Sequence, residues 1–361
     1  MKQNKLLLLL LVTTCFTVWF MGRCIMDTSY NKEFFSSVSI RDHKTGISKA
    51  SLIELAEQEK ETDTSYYSDS LLSLTAWKTE EGAELINPYL GRKAKVLTVT
   101  LWGNMRDIIP MALLSGNYVY QDDSYGCVLD SKTAYELFGT ITAVNNELLY
   151  KNNTYIVRGV VKSSVPVFLL QSSKRAEAFP NLELKMSEKG KGKEEMNAVA
   201  FLAGSSLTDN YSLIDGYFYG NLLYSSFLLP LWLILVCLFI FALHQCFNHI
   251  KKQKKQLLAY TGLTFITLSL ILLLYYKTGN PLAFAWKFIP TRWSDFSYLT
   301  KVISTLKEQI EQLRYQTPNP RELMLLESLL TLKYRLALLL FLNFQLLLTG
   351  YFYIKQKHCI S

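Results

Sequence analysis

The sequence predicts a multi-pass α-helical membrane protein with four spans and an α+β domain outside the bilayer. Three observations predict it. Four apolar stretches, 6–22, 222–243, 257–276 and 336–354, contain no Asp, Glu, Lys or Arg. A helix rises about 1.5 Å per residue and the hydrocarbon core is about 30 Å thick, so roughly 17–25 apolar residues cross it. The charge is also sorted. The segments 1–5, 244–256 and 355–361 hold Lys2, Lys5, Lys251, Lys252, Lys254, Lys255, Lys355 and Lys357 and no carboxylate. Removing these eight from the 38 Lys and Arg leaves 30, equal to the 30 Asp and Glu, so the whole formal charge of +8 falls on one side. That is the asymmetry of cytoplasmic loops. Finally, residues 71–184 are dense in strand signals, with helical patterns on either side.

The expected order is a cytoplasmic N-terminus 1–5, a first span 6–22, an outer domain 23–221, a second span 222–243 and a cytoplasmic loop 244–256. A third span 257–276, an outer amphipathic helical loop 277–335, a fourth span 336–354 and a cytoplasmic C-terminus 355–361 complete it. The localisation this implies is the cell membrane, with both termini cytoplasmic. The first stretch reads as an uncleaved anchor, because Val18-Trp19-Phe20-Met21 is bulky where a signal peptidase needs small side chains. Residues 23–221 are long enough to bury their own core and are expected to fold alone as a soluble monomer. The basic excess sits beside the bilayer, where it orients the chain and meets anionic lipid. It therefore argues for the lipid bilayer as partner and against nucleic acid.

Within the outer domain, a polar stretch reaches His43 and reads as extended and lightly ordered. Ile47, Leu52, Ile53, Leu55 and Ala56, interleaved with Ser48, Lys49, Glu54 and Glu57, form one amphipathic helix. Tyr66 and Tyr67 fall in a Ser-rich loop. Strands follow at 71–77, 96–102 and 126–129. Asp130 or Ser131 caps a helix 132–138 that stops at Gly139. Residues 147–150 and 154–161 flank Lys151-Asn152-Asn153 as a hairpin, with Asn supplying the left-handed turn. Strands at 165–171 and 182–186 precede a solvated loop, Lys189-Gly190-Lys191-Gly192-Lys193. In the second outer piece, Leu299, Ile303, Leu306, Ile310 and Leu313 share one helix face. Thr317-Pro318 breaks that helix. Asn319 then stands at an N-cap, with Pro320 at N1 and Glu322 at N3 as a capping box, and this helix runs into the fourth span.

No catalytic, cofactor-binding or metal-binding residues are assigned, no cofactor is expected, and the chain is not expected to be an enzyme. His43 is the single outer histidine, since His244, His249 and His358 fall on the cytoplasmic side. A zinc set needs several His or Cys at fitting spacing, and none is near. Neither GxSxG nor GxxxxGK[ST] occurs. Asp107, Asp122 and Asp123 are acidic enough for a cation, but paired acids in a turn more often cap it. Asn152-Asn153-Thr154 and Asn210-Tyr211-Ser212 match the glycosylation pattern, which is short enough to arise by chance. Asn343 and Gln345 are the polar residues of the fourth span, and Pro230 interrupts the second. Of the six cysteines, only Cys24 and Cys127 are expected outside; Cys24 abuts the membrane and Cys127 lies deep in the domain, and a bond between them is left open.

A family resemblance rests on the central segment. Ile109-Pro110-Met111-Ala112-Leu113-Leu114-Ser115-Gly116, Gly126-Cys127-Val128-Leu129-Asp130, Ala134-Tyr135-Glu136-Leu137-Phe138-Gly139 and Tyr155-Ile156-Val157-Arg158-Gly159-Val160-Val161 follow one another in that order. Together with one span, a large outer domain and three further spans, they resemble the extracellular core domain of MacB-type and FtsX-like permeases of ABC transporters. Leu137 and Phe138 would give the helix its core face. Two departures stand out: Val144-Asn145-Asn146 replaces the usual Val-Gly, and 244–256 is short and lysine-rich where ATPase-coupled members carry a coupling helix. The resemblance implies a permease-like membrane component of an ABC-transporter-type (MacB/FtsX-like) system acting on a cell-envelope substrate or partner, while the short lysine-rich segment puts direct ATPase coupling in doubt. It implies a second permease-like subunit and an ATP-binding subunit as partners. The alternative is a membrane-anchored recognition or regulatory protein whose outer domain binds a cell-envelope partner without transport.

Overall fold

The computed structural model describes residues 2–43, 46–61, 70–109, 111–163, 165–173, 177–190, 192–205, 207–249, 254–280, 287–290, 297–315 and 320–358. The chain divides into two compact units. A helical unit takes Met1–Glu33, Phe218–Thr305 and Glu327–Ser361, and a sheet unit takes Phe34–Tyr217 together with Leu306–Leu326. The second piece of the sheet unit comes from the region read as an outer loop.

The helical unit holds most of α1 (Lys2–Phe34) and α6 (Gly216–His249), all of α7 (Lys254–Thr278), the start of α8 (Tyr298–Tyr315) and most of α9 (Pro320–His358). Among the described residues, three helical segments are long and apolar enough to cross a membrane: Leu8–Asp27, Gly216–Phe247 and Leu257–Thr278. The fourth apolar stretch, 336–354, lies within α9. Met21, Cys24, Phe227 and Leu339 are buried together, which packs α1, α6 and α9 on one another. Pro230 lies inside α6.

The sheet unit is built on one ten-stranded sheet in the order β12-β1-β11-β3-β4-β9-β6-β8-β5, with β7 pairing β3 and β8. These strands are β1 (Val38–Asp42), β3 (Leu71–Ile86), β4 (Lys93–Trp102), β5 (Leu113–Gly116), β6 (Gly126–Asp130), β7 (Glu147–Tyr150), β8 (Asn153–Val161), β9 (Val167–Gln171), β11 (Asn181–Met186) and β12 (Tyr211–Asp215). The short β2 (Ile47–Ser48) and β10 (Ala178–Phe179) pair separately. All main-sheet pairs are antiparallel except β4 with β9 and β6 with β8. Ile86 opposite Leu149 lets the path β3-β4-β9-β6-β8-β7 return on itself. One core belongs to this closed part and includes Leu85, Val96, Leu129, Leu148, Val157 and Phe168. The second core joins Val38, Ile40, Leu182 and Leu184 to α2 (Lys49–Glu61) and α5 (Glu194–Ser205) through Leu52, Ala198 and Phe201.

Helix α4 (Ser131–Phe138) forms where its sequence asks for it. Asp130 is the N-cap, its Oδ2 accepting from the Lys132 and Thr133 amides at 2.8 and 3.0 Å. Gly139 ends the helix at φ 74° and donates its amide to Tyr135. Of the two residues expected to form its core face, Leu137 is fully buried and Phe138 only partly so. Leu137→Ala should therefore cost about 2–5 kcal/mol, and Phe138→Ala clearly less. Thermal unfolding of the two variants checks the order; equal losses would mean that the helix is rotated from this placement.

The hairpin is also where expected. Its loop is Lys151-Asn152, with φ of 48° and 64°, the pair of left-handed residues that a two-residue turn of matching twist requires. Asn145 is also left-handed, at φ 67°. Residues 38–42, read as lightly ordered, instead form the interior strand β1, and β3 runs nine residues past Trp77. Gly190, read as part of a solvated loop, is buried against Ser70 and Asn197. Thr317-Pro318 and Asn319 lie outside the described residues.

Candidate functional site

The most unusual chemistry of the sheet unit is a set of buried charges where β1, β11 and the first turn of α9 meet. Glu183 sits mid-strand in β11 and is 0% exposed. Its Oε2 accepts from Ser37 Oγ at 2.7 Å and from Arg321 Nη2, and its Oε1 accepts from the Trp77 indole at 3.3 Å. Arg321 also donates through Nη1 to the Asp107 carbonyl at 2.8 Å. The next residue, Glu322, pairs with Arg41 of β1 and accepts from Ser39 Oγ at 3.4 Å. The Arg41 guanidinium lies over the Trp77 ring, 4.4 Å from its centroid. Two cations and two anions thus cancel, all at most 5% exposed.

Why β1 folds here follows from its alternation. Val38 and Ile40 face the second core, while Ser37, Ser39 and Arg41 face the network, so both sides of the strand are buried. Gly216, which opens α6, donates its amide to Ser37 at 3.0 Å, and a Cβ there would meet the Ser37 and Phe35 carbonyl oxygens at 2.5 and 2.6 Å. Both α6 and α9 therefore begin against β1 within the sheet unit. Burial alone would raise the Glu183 pKa. Arg321 and Arg41, with the Ser39 and Ser37 hydroxyls, outweigh it and hold the carboxyl below its ordinary value.

Beside the network, Asp107 in α3 (Met105–Ile108) accepts from Ser73 and Thr75 hydroxyls at 2.6 and 3.1 Å, with Lys185 Nζ 3.9 Å from its other oxygen. Only about 10 Å³ of open space remains between Phe35, Ser37, Ser39, Arg321 and Glu322. No substrate fits there. The arrangement is a charge-keyed joint: an unpaired buried ion is so costly that the first turn of α9 is either fully seated on the sheet or not seated.

The acidic residues considered as a cation site are not together. Asp123 caps a turn through the Tyr125 and Gly126 amides and pairs with Arg158 at 2.9 Å, apart from the Asp107 cluster. Among the described residues no group of three or more His, Cys, Asp or Glu is placed to hold a metal. His43 is exposed. Cys24 and Cys127 form no disulfide, and burial pushes the Cys127 thiol far up. Glu322, expected as a capping-box residue in the first turn of α9, is also an anion of the joint. Arg41, Glu183 and Arg321 were not singled out by sequence reasoning. The available signals were a Glu in the middle of an apolar strand and an Arg-Glu pair directly after a helix-opening Pro.

Fold and joint together define an α+β domain into whose sheet the first turn of α9 is keyed by charge. No family model matches the sequence, and no curated protein does. Solved structures similar to it include the periplasmic region of MacB from Actinobacillus actinomycetemcomitans, at 11% identity and TM-score 0.40, covering 50% of this chain and 89% of that one. Another is the extracellular domain of the noncanonic ABC-type transporter YknZ from Gram-positive bacteria, at 12% identity and TM-score 0.37, covering 49% and 99%.

Proposed function

We propose that this chain is a permease-like membrane component of a MacB/FtsX-like system, in which the sheet unit lies outside the cell membrane and moves with its helices. In this reading the protein is not an enzyme, it crosses the bilayer four times and both its termini are cytoplasmic. The observation that carries the proposal is the joint: α9 starts in a buried, charge-neutral seat on the sheet and continues as one helix through the apolar stretch 336–354. A displacement of that helix would be delivered to β1 and β11 without slippage. The short lysine segment 244–256 offers no apolar knob for an ATP-binding subunit, so contact with such a subunit would pass through a second permease-like subunit. The same segment favours the second reading, a recognition or regulatory protein that binds a cell-envelope partner without transport.

Two measurements test this. Cysteines placed singly at the exposed Lys189, Lys193, Lys307 and Glu311 should react with a membrane-impermeant reagent in intact cells, and those at 251–255 should not; labelling of the lysine segment would overturn the topology. Affinity purification from membranes should recover a second permease-like subunit and, dependent on it, an ATP-binding subunit. Recovery with an envelope protein and never with an ATP-binding subunit would establish the second reading instead.

A further inference from the structure

A groove of about 420 Å³ opens on the sheet unit at the start of β6 and β8, well away in sequence from the joint. Its floor is a row across three strands: Glu147 of β7 stands opposite Ile156 of β8, which stands opposite Gly126 of β6. At strand spacings near 4.8 Å that row is about 10 Å long. Tyr125 borders one end and is 69% exposed. Glu147, at the β7 side of the row, accepts at Oε2 from the hydroxyl of the exposed Tyr89 at 3.0 Å. Ser124, Asn153, Thr154 and the largely buried Tyr155 complete the lining.

The chemistry narrows the ligand. The volume falls within the range of small-ligand sites. Exposed Tyr rings offer flat apolar faces with a polar edge, at a cost in solvation that only a ligand with its own flat C–H faces would recover. Ser, Thr and Asn side chains both donate and accept, which suits hydroxyl groups that do the same. A phosphate or carboxylate ligand would meet the Glu147 charge, and none of the described lining residues is basic. A purely apolar ligand would strand Glu147, Asn153 and Thr154 without water. The Glu147 hydrogen bond holds the Tyr89 phenol above its ordinary pKa, so it remains a donor at neutral pH.

We infer that this groove binds a neutral, polyhydroxylated ligand, a glycan segment about two sugar rings long, stacked on Tyr125 and hydrogen-bonded along the Glu147–Asn153 rim. The inference deepens the proposed function, in that it rests on the sheet unit facing the cell envelope and names the ligand class met there. Its failure would leave the topology and subunit association untouched, and their failure would leave binding by the purified protein untouched.

The test uses the full chain in lipid nanodiscs, since glycoside detergents would compete. Calorimetric titration with the tetramer of N-acetylglucosamine and with cellotetraose should give saturable binding of at least one. Tyr125→Ala and Glu147→Gln should each weaken it by about tenfold or more, equal to about 1.4 kcal/mol. Tyr120→Ala, at an exposed tyrosine that does not line the groove, should leave it unchanged. Absence of saturable binding by either oligosaccharide overturns the inference, as does binding that the groove substitutions leave intact. Displacement of the sugar's place by choline or by a peptide, with neither oligosaccharide binding, would assign the groove to another ligand class and equally overturn it.

Discussion

Replacing Arg321 by Ala will destabilise the sheet unit by about 3–5 kcal/mol, because it leaves the fully buried Glu183 without its cation and the Asp107 carbonyl without its donor. The loss belongs to an uncompensated ion rather than to a missing attraction. A second substitution should therefore undo most of it. With Glu183→Leu and Arg321→Leu together, no charge is stranded on that side of the joint, and similar buried pairs exchanged for apolar residues come out near neutral. Thermal unfolding of the single and double variants gives the test. A single variant within about 1 kcal/mol of the parent, or a double variant no better than the single, would show that the pair is not buried as described. The same reasoning reverses an expectation drawn from length alone. The fragment 23–221 lacks Arg321 and Glu322, so Glu183 and Arg41 each lose the ion-pair partner they contact, and it should fold less stably than the sheet unit that includes Leu306–Leu326.

The joint also sets a pH response. The folded-state pKa of Glu183 lies below its unfolded value, the net result of burial opposed by Arg321, Arg41 and the two serine hydroxyls. A carboxyl depressed in this way contributes stability that is present above the unfolded pKa, near 4.3, and is lost as the pH falls through the folded value. The parent protein should lose stability on acidification through that window, and the double Leu variant should lose less. Identical pH profiles for the two would contradict the assignment.

What could be read in the sequence was what local chemistry decides. Asp130 before an amphipathic stretch and Gly139 after it fixed α4, and Lys151-Asn152 between two β-prone runs fixed the hairpin, because caps and turns are satisfied within a few residues. The joint was not readable in the same way. Ser37 meets Glu183 across 146 positions and Arg41 meets Glu322 across 281. Strand β1 looked like a polar leader because half of its residues are polar, and only the distant Arg321-Glu322 pair makes that polar face an interior one. Periodicity reports which face differs from the other; it does not report that both are covered. The groove is intermediate: its hairpin was legible, but Ser124 and Tyr125 reach Glu147 and Ile156 only through the pairing of β6 with β8 and of β8 with β7.

The second large effect concerns Gly116, and it explains two of the family-like motifs at once. Gly116 of β5 is paired with Gly159 of β8, and the Asn117 amide donates to the Arg158 carbonyl at 2.9 Å. At Gly116 the backbone has φ 74°, and an added Cβ would press deep into the Arg158 carbonyl oxygen and come to 2.9 Å from Val144 Cγ2. The first of those neighbours is backbone held in the sheet and cannot move aside. Gly82 has nearly the same φ, 69°, but nothing lies within 4 Å of its Cβ position. The two glycines therefore separate conformational strain from close approach. Gly82→Ala should cost about 1–2 kcal/mol, the penalty for a side chain in left-handed backbone. Gly116→Ala adds overpacking of about 1–3 kcal/mol to that strain, for a total of about 2–5 kcal/mol, enough to open the β5 edge and to expose the Val160 and Val161 backbone to amide exchange. Unfolding and hydrogen exchange on both variants measure the difference directly. Equal costs would mean that β5 does not approach β8 as closely as placed here, and that the Leu-Leu-Ser-Gly and Val-Arg-Gly-Val segments have some reason other than this contact for carrying their glycines.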